Sequence, residues 1–288
     1  MSRRLYSPKY TKEILEKYQF QFSKSLGQNF LIDGNILNNI MTLGGITKED
    51  LILEIGPGIG TLTEEIALNA KKVVAVELDK NLLPILDQTL KVYDNIEIVH
   101  GDILEINVKK LIEDKLDGGP IKVVANLPYY ITTPIIGKLL ESELNIHSII
   151  IMVQKEVADR MVARCNTKDY GSLSVFINYY TDAEIILKVP KTVFMPQPKV
   201  DSAVVKMVLK EELPNVNREL FFKIVKSAFG KRRKTILNSL SSGELNVEKE
   251  MIKNILEEAN IPLNARAENL NIEDFIKISE TFSPLDIY

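Results

Sequence analysis

Ten residues at positions 121–130, IKVVANLPYY, decide how the rest of the chain is interpreted. Their first half is short, β-branched and mostly apolar, which is typical of a buried strand in a parallel sheet. Pro128 must end that strand, because a proline donates no ladder hydrogen bond and fixes its own φ. The proline also pushes Leu127 into an extended conformation, which can leave the Leu127 carbonyl free. The stretch therefore predicts a rigid turn that carries the Asn126 amide, a free carbonyl and the Tyr129 ring.

This turn has the groups that would recognise the amine of a nucleobase. In open α/β sheets, ligands bind at the carboxyl ends of the strands. An exocyclic amine has two N–H donors, which Asn126 Oδ1 and the Leu127 carbonyl can accept while the Tyr129 ring stacks on the base. An ordinary strand-to-helix turn would contain the same residues, because Asn is favoured in turns. On these residues alone, both interpretations stay open.

A second buried strand is predicted at residues 51–55, LILEI, and it runs directly into a glycine-rich turn. The turn and the helix predicted over 61–70 form a cradle for a nucleotide-like ligand. A dinucleotide fingerprint requires a small residue at position 61, where this chain has Thr61. The pattern present is E-x-G-x-G-x-G, from Glu54 through Gly56 and Gly58, which is typical of enzymes that use S-adenosylmethionine (SAM).

Acidic residues end the next two predicted strands. Residues 73–77 end in Glu77, where a carboxylate can bind both hydroxyls of a ribose, and Asp79 is a competing candidate. Residues 96–102 end in Gly-Asp, so that Asp102 can accept a hydrogen bond from an adenine amine.

The alternation of strands and helices predicts an α/β protein with a doubly wound, mostly parallel sheet of seven strands. The three later strands are predicted at 148–153, 185–189 and 203–209, and further helices at 35–43, 82–90 and 154–165. The last strand pair would add an antiparallel edge. Between these two strands, residues 194–198 predict a stiff loop that presents Phe194.

A change in composition near residues 211–214 predicts a boundary between a domain over 1–212 and a helical domain over 213–288. From Leu220 to Gly243 the chain has no acidic residue. The cations of this region predict a phosphate-binding patch, with a solvated basic face as the alternative. They are Lys223, Lys226, Lys231, Arg232, Arg233 and Lys234. The N-terminal segment is also basic, and it predicts a disordered or an RNA-contacting arm.

Composition excludes several classes of protein. The 288 residues are 45% hydrophobic and 26% charged, as is ordinary for a soluble globular protein. The single cysteine, Cys165, excludes an intramolecular disulfide and fits a reducing cytoplasm. No secretory signal or membrane-spanning apolar run is found. The two histidines, His100 and His147, lack partners at ligand spacing, so no metal is expected.

Eight motifs together resemble the ribosomal RNA adenine dimethyltransferases, and most of all the bacterial members that act on the small subunit. They occur in the family's order across residues 22–275. The motifs are SKSLGQNFL, LEIGPGIGTLTEEI, VVAVELD, GDILE, NLPYYITTPII, FMPQPKVDSAVV, FGKRRKTILNSL and RAENLNIEDF.

The resemblance implies a Rossmann-like class I SAM-dependent methyltransferase domain followed by a small C-terminal helical domain that binds rRNA. The implied reaction is N6,N6-dimethylation of two adjacent adenosines near the 3′ end of 16S rRNA, in the small (30S) ribosomal subunit or its precursor. The implied cofactor contacts are Gln28, Asn29, Leu31, Gly56, Gly58, Glu77, Asp102 and Asn126. The implied target-base site contains Asn126, Leu127, Pro128 and Tyr129, with Phe194 completing a sandwich around the base. A cytoplasmic monomer is the default expectation.

Three alternatives remain. A macrolide-resistance enzyme that methylates 23S rRNA would share the fold, cofactor and chemistry, although the N-terminal and C-terminal motifs favour the small subunit. A non-catalytic assembly factor on the same fold would not need the intact cofactor and target motifs. A nicotinamide dehydrogenase is disfavoured by Thr61 and by the lack of a histidine placed for hydride transfer.

Overall fold

The computed structural model describes residues 4–23, 26–128, 131–231 and 233–282. Two residues of the predicted site, Tyr129 and Arg232, lie outside this described part. The chain divides into two compact units. The first contains Met1–Ala158 and Glu184–Leu209, and the second contains Asp159–Ala183 and Lys210–Tyr288. Among the described residues, every helix is too short or too polar to span a bilayer.

The first unit is organised by its strands. They are β1 (Phe30–Leu31), β2 (Leu51–Ile55), β3 (Lys72–Glu77), β4 (Ile96–His100), β5 (Ile121–Asn126), β6 (Ile146–Gln154), β7 (Thr181–Val189), β8 (Phe194–Met195) and β9 (Ser202–Leu209). Seven of them form one sheet in the order β4-β3-β2-β5-β6-β9-β7. The neighbours from β4 to β6 are parallel, and β9 runs antiparallel to β6. The predicted parallel sheet with an antiparallel edge is confirmed.

Six helices of the described residues lie entirely in the same unit. They are α1 (Pro8–Lys17), α2 (Gly34–Gly44), α3 (Thr61–Asn69), α4 (Leu83–Leu90), α5 (Val108–Lys115) and α6 (Thr132–Glu141). One core cluster joins Ile52 and Val73 of the sheet to Leu37 of α2 and Ile66 of α3. A second cluster joins α1 to α4. The β-branched strand residues are therefore buried, which is why these segments form strands rather than helices.

The N-terminal segment is attached to this unit. The Arg4 guanidinium forms an ion pair with Glu65 on α3, and its Nε lies 3.8 Å from a Glu64 carboxylate oxygen. The Leu5 backbone N–H donates to the same Glu64 side chain at 3.0 Å. Within the described residues, the predicted basic arm is thus wrong for Arg4, because buried carboxylates of α3 hold it in place.

The second unit is helical. Its elements are α7 (Lys155–Met161), which begins in the first unit, α8 (Ser172–Tyr180), α9 (Arg218–Phe229), α10 (Ile236–Ser241), α11 (Lys249–Glu258) and α12 (Ile272–Phe282). Phe221 and Phe275 are fully buried in it. The Tyr179 and Phe221 rings have centroids 4.9 Å apart, which anchors α8 on α9.

The predicted domain boundary at residue 212 needs a correction. The chain leaves the first unit at residue 158, returns for residues 184–209, and then enters the second unit again. The cause is α8, whose aromatic side chains pack against α9. The predicted helix over 154–165 is also shorter in the structure, where it ends at Met161.

Candidate active site

A cavity lies in the first unit at the carboxyl ends of β2, β3 and β5, beside the residues that follow β4. It brings together most of the residues that the sequence predicted. These are Gln28, Asn29, Leu31, Gly56, Gly58, Glu77, Asp102, Asn126, Leu127 and Pro128. They come from five separate stretches of the chain, so the parallel sheet is what assembles them. Their assignment to particular ligand atoms stays a prediction.

The glycine-rich turn forms one wall of this cavity. Gly56 and Gly58 have φ values of 72° and 61°, a region that L side chains rarely adopt. A Cβ atom on Gly58 would also lie 2.9 Å from the Phe30 ring. The turn therefore requires glycine at position 58 both for its backbone conformation and for its contact with Phe30.

The Glu77 carboxylate is 6% exposed and lines the cavity. One of its oxygens accepts from the Gly58 N–H at 3.1 Å, and the other accepts from the Asp79 N–H at 2.7 Å. Burial raises the pKa of this carboxyl, an effect that these two N–H donors partly offset. The carboxylate is thus fixed in place, with acceptor capacity left for hydroxyl groups of a ligand.

The competing candidate, Asp79, has a different role. Its Oδ2 accepts from Gln28 Nε2 at 2.7 Å. Its Oδ1 accepts from the backbone N–H and from the side-chain amide of Asn81. Gln28 in turn accepts from the Ser23 N–H at 2.9 Å. Asp79 does not line the cavity. It therefore ties the segment that carries Gln28 to the end of β3, while Glu77 faces the ligand space.

Asp102 closes another side of the cavity. Its Oδ1 accepts from the Leu104 N–H at 2.8 Å, and its backbone carbonyl accepts from the Glu105 and Ile106 N–H groups, both at 2.9 Å. The preceding Gly101 N–H donates to the Glu77 carbonyl at 2.9 Å. This loop is consequently a closed turn attached to the end of β3.

The Asn126 amide is oriented by its neighbours. Its Nδ2 donates to the Asn29 carbonyl at 3.0 Å, and no donor among the described residues reaches Oδ1 of this cavity-lining side chain. The Leu127 N–H donates to the Met152 carbonyl at 3.3 Å. Within the part of the chain that the structure describes, no backbone N–H donates to the Leu127 carbonyl. Two consecutive residues at the end of β5 therefore carry acceptors and line the cavity, and their role towards a target base stays a prediction.

The predicted position of Phe194 is wrong. Phe194 belongs to β8, which pairs with β1 so that Leu31 lies opposite Phe194. Its side chain is 4% exposed, is packed in the core cluster with Leu37 and Val189, and does not line the cavity. A loop presenting this ring was expected, because two-residue strands leave no periodic signal in the sequence. As placed here, the ring cannot stack on a ligand in the cavity.

A buried carboxyl lies beneath the glycine-rich turn. Glu54 is 0% exposed, and both of its side-chain oxygens lack a hydrogen-bond partner among the described residues. Burial raises the pKa of Glu54 to about 8; the nearby Thr63 hydroxyl lowers it somewhat and the Glu77 carboxylate raises it further. The Thr63 hydroxyl does not reach hydrogen-bond geometry. Burial therefore favours the protonated form of Glu54 at neutral pH.

The charges around the cavity indicate which ligand fits. Among the described residues that line it there is no Lys, Arg or His, whereas carboxylates are present at two strand ends. A pyrophosphate would need cations or free N–H groups, while hydroxyl and amine donors suit carboxylates. SAM offers ribose hydroxyls, an adenine amine and a positive sulfonium, and it contains no phosphate. Its adenosine would also contact apolar lining residues such as Leu78 and Ile103. The residues present fit SAM.

Sequence reasoning missed the apolar lining. Leu78, Ile103, Ile131 and Ile135 all line the cavity, yet each looks like an ordinary core residue in the sequence. The available signal was position, because Leu78 and Ile103 each follow a strand-end acid directly and Ile131 follows the target turn.

The predicted basic patch lies in the second unit and is only partly free. Lys223 Nζ lies 3.4 Å from a Glu219 carboxylate oxygen, and Lys226 Nζ lies 2.7 Å from one of Glu244. These two acids flank the acid-free stretch in the sequence, and in the folded unit they form ion pairs with the two lysines. Three other members of the patch are exposed, namely Lys231, Arg233 and Lys234.

Comparison with known proteins agrees with this geometry. The family model described as ribosomal RNA adenine dimethylase matches residues 19–283. A relative in Alkaliphilus oremlandii called "Ribosomal RNA small subunit methyltransferase A" is 54% identical to this chain, over 94% of this chain and 96% of the relative. The relative of that name in Clostridioides difficile is also 54% identical, over 96% of each chain.

Solved structures give the same picture. A dimethyladenosine transferase from Plasmodium falciparum has a TM-score of 0.75 at 27% identity, covering 88% of this chain and 98% of that one. The 23S rRNA methyltransferase ErmE has a TM-score of 0.67 at 27% identity, covering 88% of this chain and 99% of its own. The fold and the cavity thus define a class I SAM-dependent methyltransferase. The chain belongs to the ribosomal RNA adenine dimethylase family.

Proposed function

We propose that this protein uses SAM to dimethylate N6 of two adjacent adenosines near the 3′ end of 16S rRNA, in the small (30S) ribosomal subunit or its precursor. The observation that carries the proposal is the Asn126 amide, which lines the cavity and whose Nδ2 donates to the Asn29 carbonyl, while no donor among the described residues reaches its Oδ1. Support for the choice of RNA comes from relatives of 54% identity that are named for the small subunit.

The cofactor site is proposed to use three anchors. Glu77 accepts the ribose hydroxyls, Asp102 accepts the adenine amine, and the turn at Gly56 and Gly58 lets the backbone approach the ligand closely. The segment at Gln28, Asn29 and Leu31 covers the opposite side. SAM, when bound, supplies an electrophilic methyl group on a sulfonium and leaves as S-adenosylhomocysteine.

The target site is proposed to activate a weak nucleophile. The lone pair on N6 of adenine is delocalised into the ring, so an unassisted amine attacks a methyl group slowly. Asn126 Oδ1 and the Leu127 carbonyl accept the two N–H groups, which bends the amine towards tetrahedral geometry and localises its lone pair. The same oxygens stabilise the positive charge that develops on N6 during attack, the reverse of an oxyanion hole. Pro128 fixes the turn that holds both acceptors.

The target base is proposed to leave its stack before the reaction. Tyr129 stacks on it in this proposal, by the family's motif. Phe194 has no part in this stacking, because its ring is packed in the core cluster. No general base is required, because the product ammonium is acidic enough to release its proton to water. Each adenosine accepts two methyl groups in successive turnovers.

The exposed cations of the second unit are proposed to bind rRNA phosphates. Lys231, Arg233 and Lys234 carry most of this contact, with Arg232 as a further member, since Lys223 and Lys226 are already paired with carboxylates. The protein is proposed to act as a cytoplasmic monomer on a partly assembled particle.

Labelled methyl transfer tests the proposal. Labelled SAM is offered with undermethylated small subunits, with protein-free 23S rRNA, and with DNA. The proposal predicts label only in small subunits. Label in free 23S rRNA would instead assign the activity of the 23S enzymes, to whose structure this chain is similar. No label on any substrate, with the cofactor bound, would favour an assembly factor without catalysis.

A further inference from the structure

One lysine near the cavity has no role in the proposed reaction. Lys138 lies on α6, three residues after Ile135, which lines the cavity. Its Nζ donates to the Leu104 carbonyl at 2.8 Å and to the Ile106 carbonyl at 2.7 Å. It forms no ion pair with a carboxylate of the described residues.

Both carbonyls belong to the loop that carries Asp102. The Asp102 side chain accepts from the Leu104 N–H, and its backbone carbonyl accepts from the Ile106 N–H. The loop is tight, because a Cβ atom on Gly101 would lie 2.7 Å from Ile106 Cδ1. The two carbonyls accept from the same Nζ, and a lysine ammonium, with three donors and a positive charge, suits two converging acceptors.

The same helix begins at the target turn. The Ile131 N–H and the Thr132 hydroxyl both donate to the Pro128 carbonyl, each at 3.2 Å. One rigid element therefore contacts the target turn at its first turn, the cavity through Ile135 and the Asp102 loop through Lys138.

We propose that Lys138 is a positioning residue, which fixes the loop after β4 so that the Asp102 carboxylate meets the adenine amine of the cofactor. The inference rests on the proposed function, in which this cavity holds SAM. Without the lysine, the two carbonyls turn towards water and the loop relaxes. Recognition of the adenine amine then weakens, while the ribose contact at Glu77 stays.

Calorimetry with two ligands tests this role. S-adenosylhomocysteine carries the adenine amine, and its hypoxanthine counterpart, S-inosylhomocysteine, has an oxygen in place of that amine. The wild type is expected to prefer the adenine ligand. Lys138→Met keeps most of the length of the side chain without the charge, and it is expected to weaken adenine binding about tenfold while changing hypoxanthine binding little. Lys138→Arg, which can reach both carbonyls, is expected to restore most of the preference.

Controls separate positioning from general damage. Lys109→Met changes an exposed lysine on α5, beyond the same loop, and is expected to match the wild type. A merely destabilised protein would lower the active fraction and leave the ratio of the two dissociation constants unchanged. If Lys138→Met does not fold, Lys138→Gln takes its place, because its amide is uncharged and one atom closer to the backbone than Nζ, and a ratio equal to that of the wild type overturns the proposal. Failure of the wild type to bind S-adenosylhomocysteine would instead overturn the proposed function.

Discussion

Replacing Asn126 by alanine removes the acceptor on which the proposed chemistry depends. The change deletes Oδ1 and also the Nδ2 donor that reaches the Asn29 carbonyl at 3.0 Å. Loss of one preorganised partner of a developing charge costs about 10²–10³ in kcat, or about 2.7–4 kcal/mol of transition-state stabilisation. The lost Asn29 contact adds only about 0.5–1.5 kcal/mol to the cost in folding stability. The effect on turnover should therefore exceed the effect on stability.

The assay is steady-state methyl transfer to undermethylated small subunits, with SAM and the subunit varied separately. A fall in kcat with little change in either KM is the expected pattern, because the contact strengthens in the transition state. Asn145→Ala is the matched control, since this exposed asparagine donates to the Gly118 carbonyl beyond the amino end of β6. Near-normal kcat for Asn126→Ala would refute the acceptor role. A change confined to the KM for SAM would make Asn126 a cofactor residue alone.

Three further changes test other parts of the site. Gly58→Ala forces a φ of +61° on an L residue and brings its Cβ to 2.9 Å from the Phe30 ring. This backbone conformation costs about 1–2 kcal/mol, so calorimetry should show a SAM affinity at least about fivefold lower. An unchanged affinity would contradict the described turn. Glu54 has a folded pKa of about 8 against an ordinary value of 4.5, so the wild type should lose stability as pH rises through that window. Glu54→Gln should remove that loss, so that the free energy of unfolding of the variant, measured in urea, rises relative to that of the wild type by up to about 1.4 kcal/mol per pH unit. If the free energies of unfolding of the two proteins change in parallel with pH, the carboxyl ionises normally. Replacing Lys231 and Lys234 together by serine should reduce the slope of log affinity for rRNA against log salt by roughly 1–2, and an equal slope would make this segment an ordinary solvated face.

The parts of the site that sequence reasoning predicted share a local cause. Pro128 must end a strand, and the glycines at 56 and 58 must form a turn, so their positions follow from backbone chemistry alone. Glu77 and Asp102 follow from the same logic, because the ends of parallel strands meet at one edge of a sheet. The strands themselves were predictable because β-branched apolar runs mark a sheet that is buried on both faces.

The parts that sequence reasoning missed depend on long-range pairing. Phe194 pairs with Leu31 across more than 160 positions, and strands of two residues have no period that a pattern search can detect. The first entry of the chain into the second unit, which contains α8, depends on packing of aromatic side chains. The contacts of Lys138 could not be predicted for the same reason, since the carbonyls that accept from it belong to a loop more than 30 residues earlier in the chain.

Charge was misjudged for a related reason. A stretch without acids suggested free cations, but Glu219 and Glu244 lie just outside it and contact Lys223 and Lys226 in the folded unit. Lys223 and Glu219 lie one helical turn apart, whereas the whole of α10 lies between Lys226 and Glu244 in the chain. Counting charges within a window therefore overestimates the cations that are free to contact RNA.

In the proposed function, methyl groups pass from this cavity to N6 of two adjacent adenosines in small-subunit rRNA. The most direct test is mass spectrometry of nucleoside fragments from undermethylated small subunits, after incubation with the wild type and unlabelled SAM. The account predicts two methyl groups on N6 of each of two neighbouring adenosines near the 3′ end of 16S rRNA. A single methyl group on each base, methylation of a ring nitrogen, or modification elsewhere in the rRNA would contradict it.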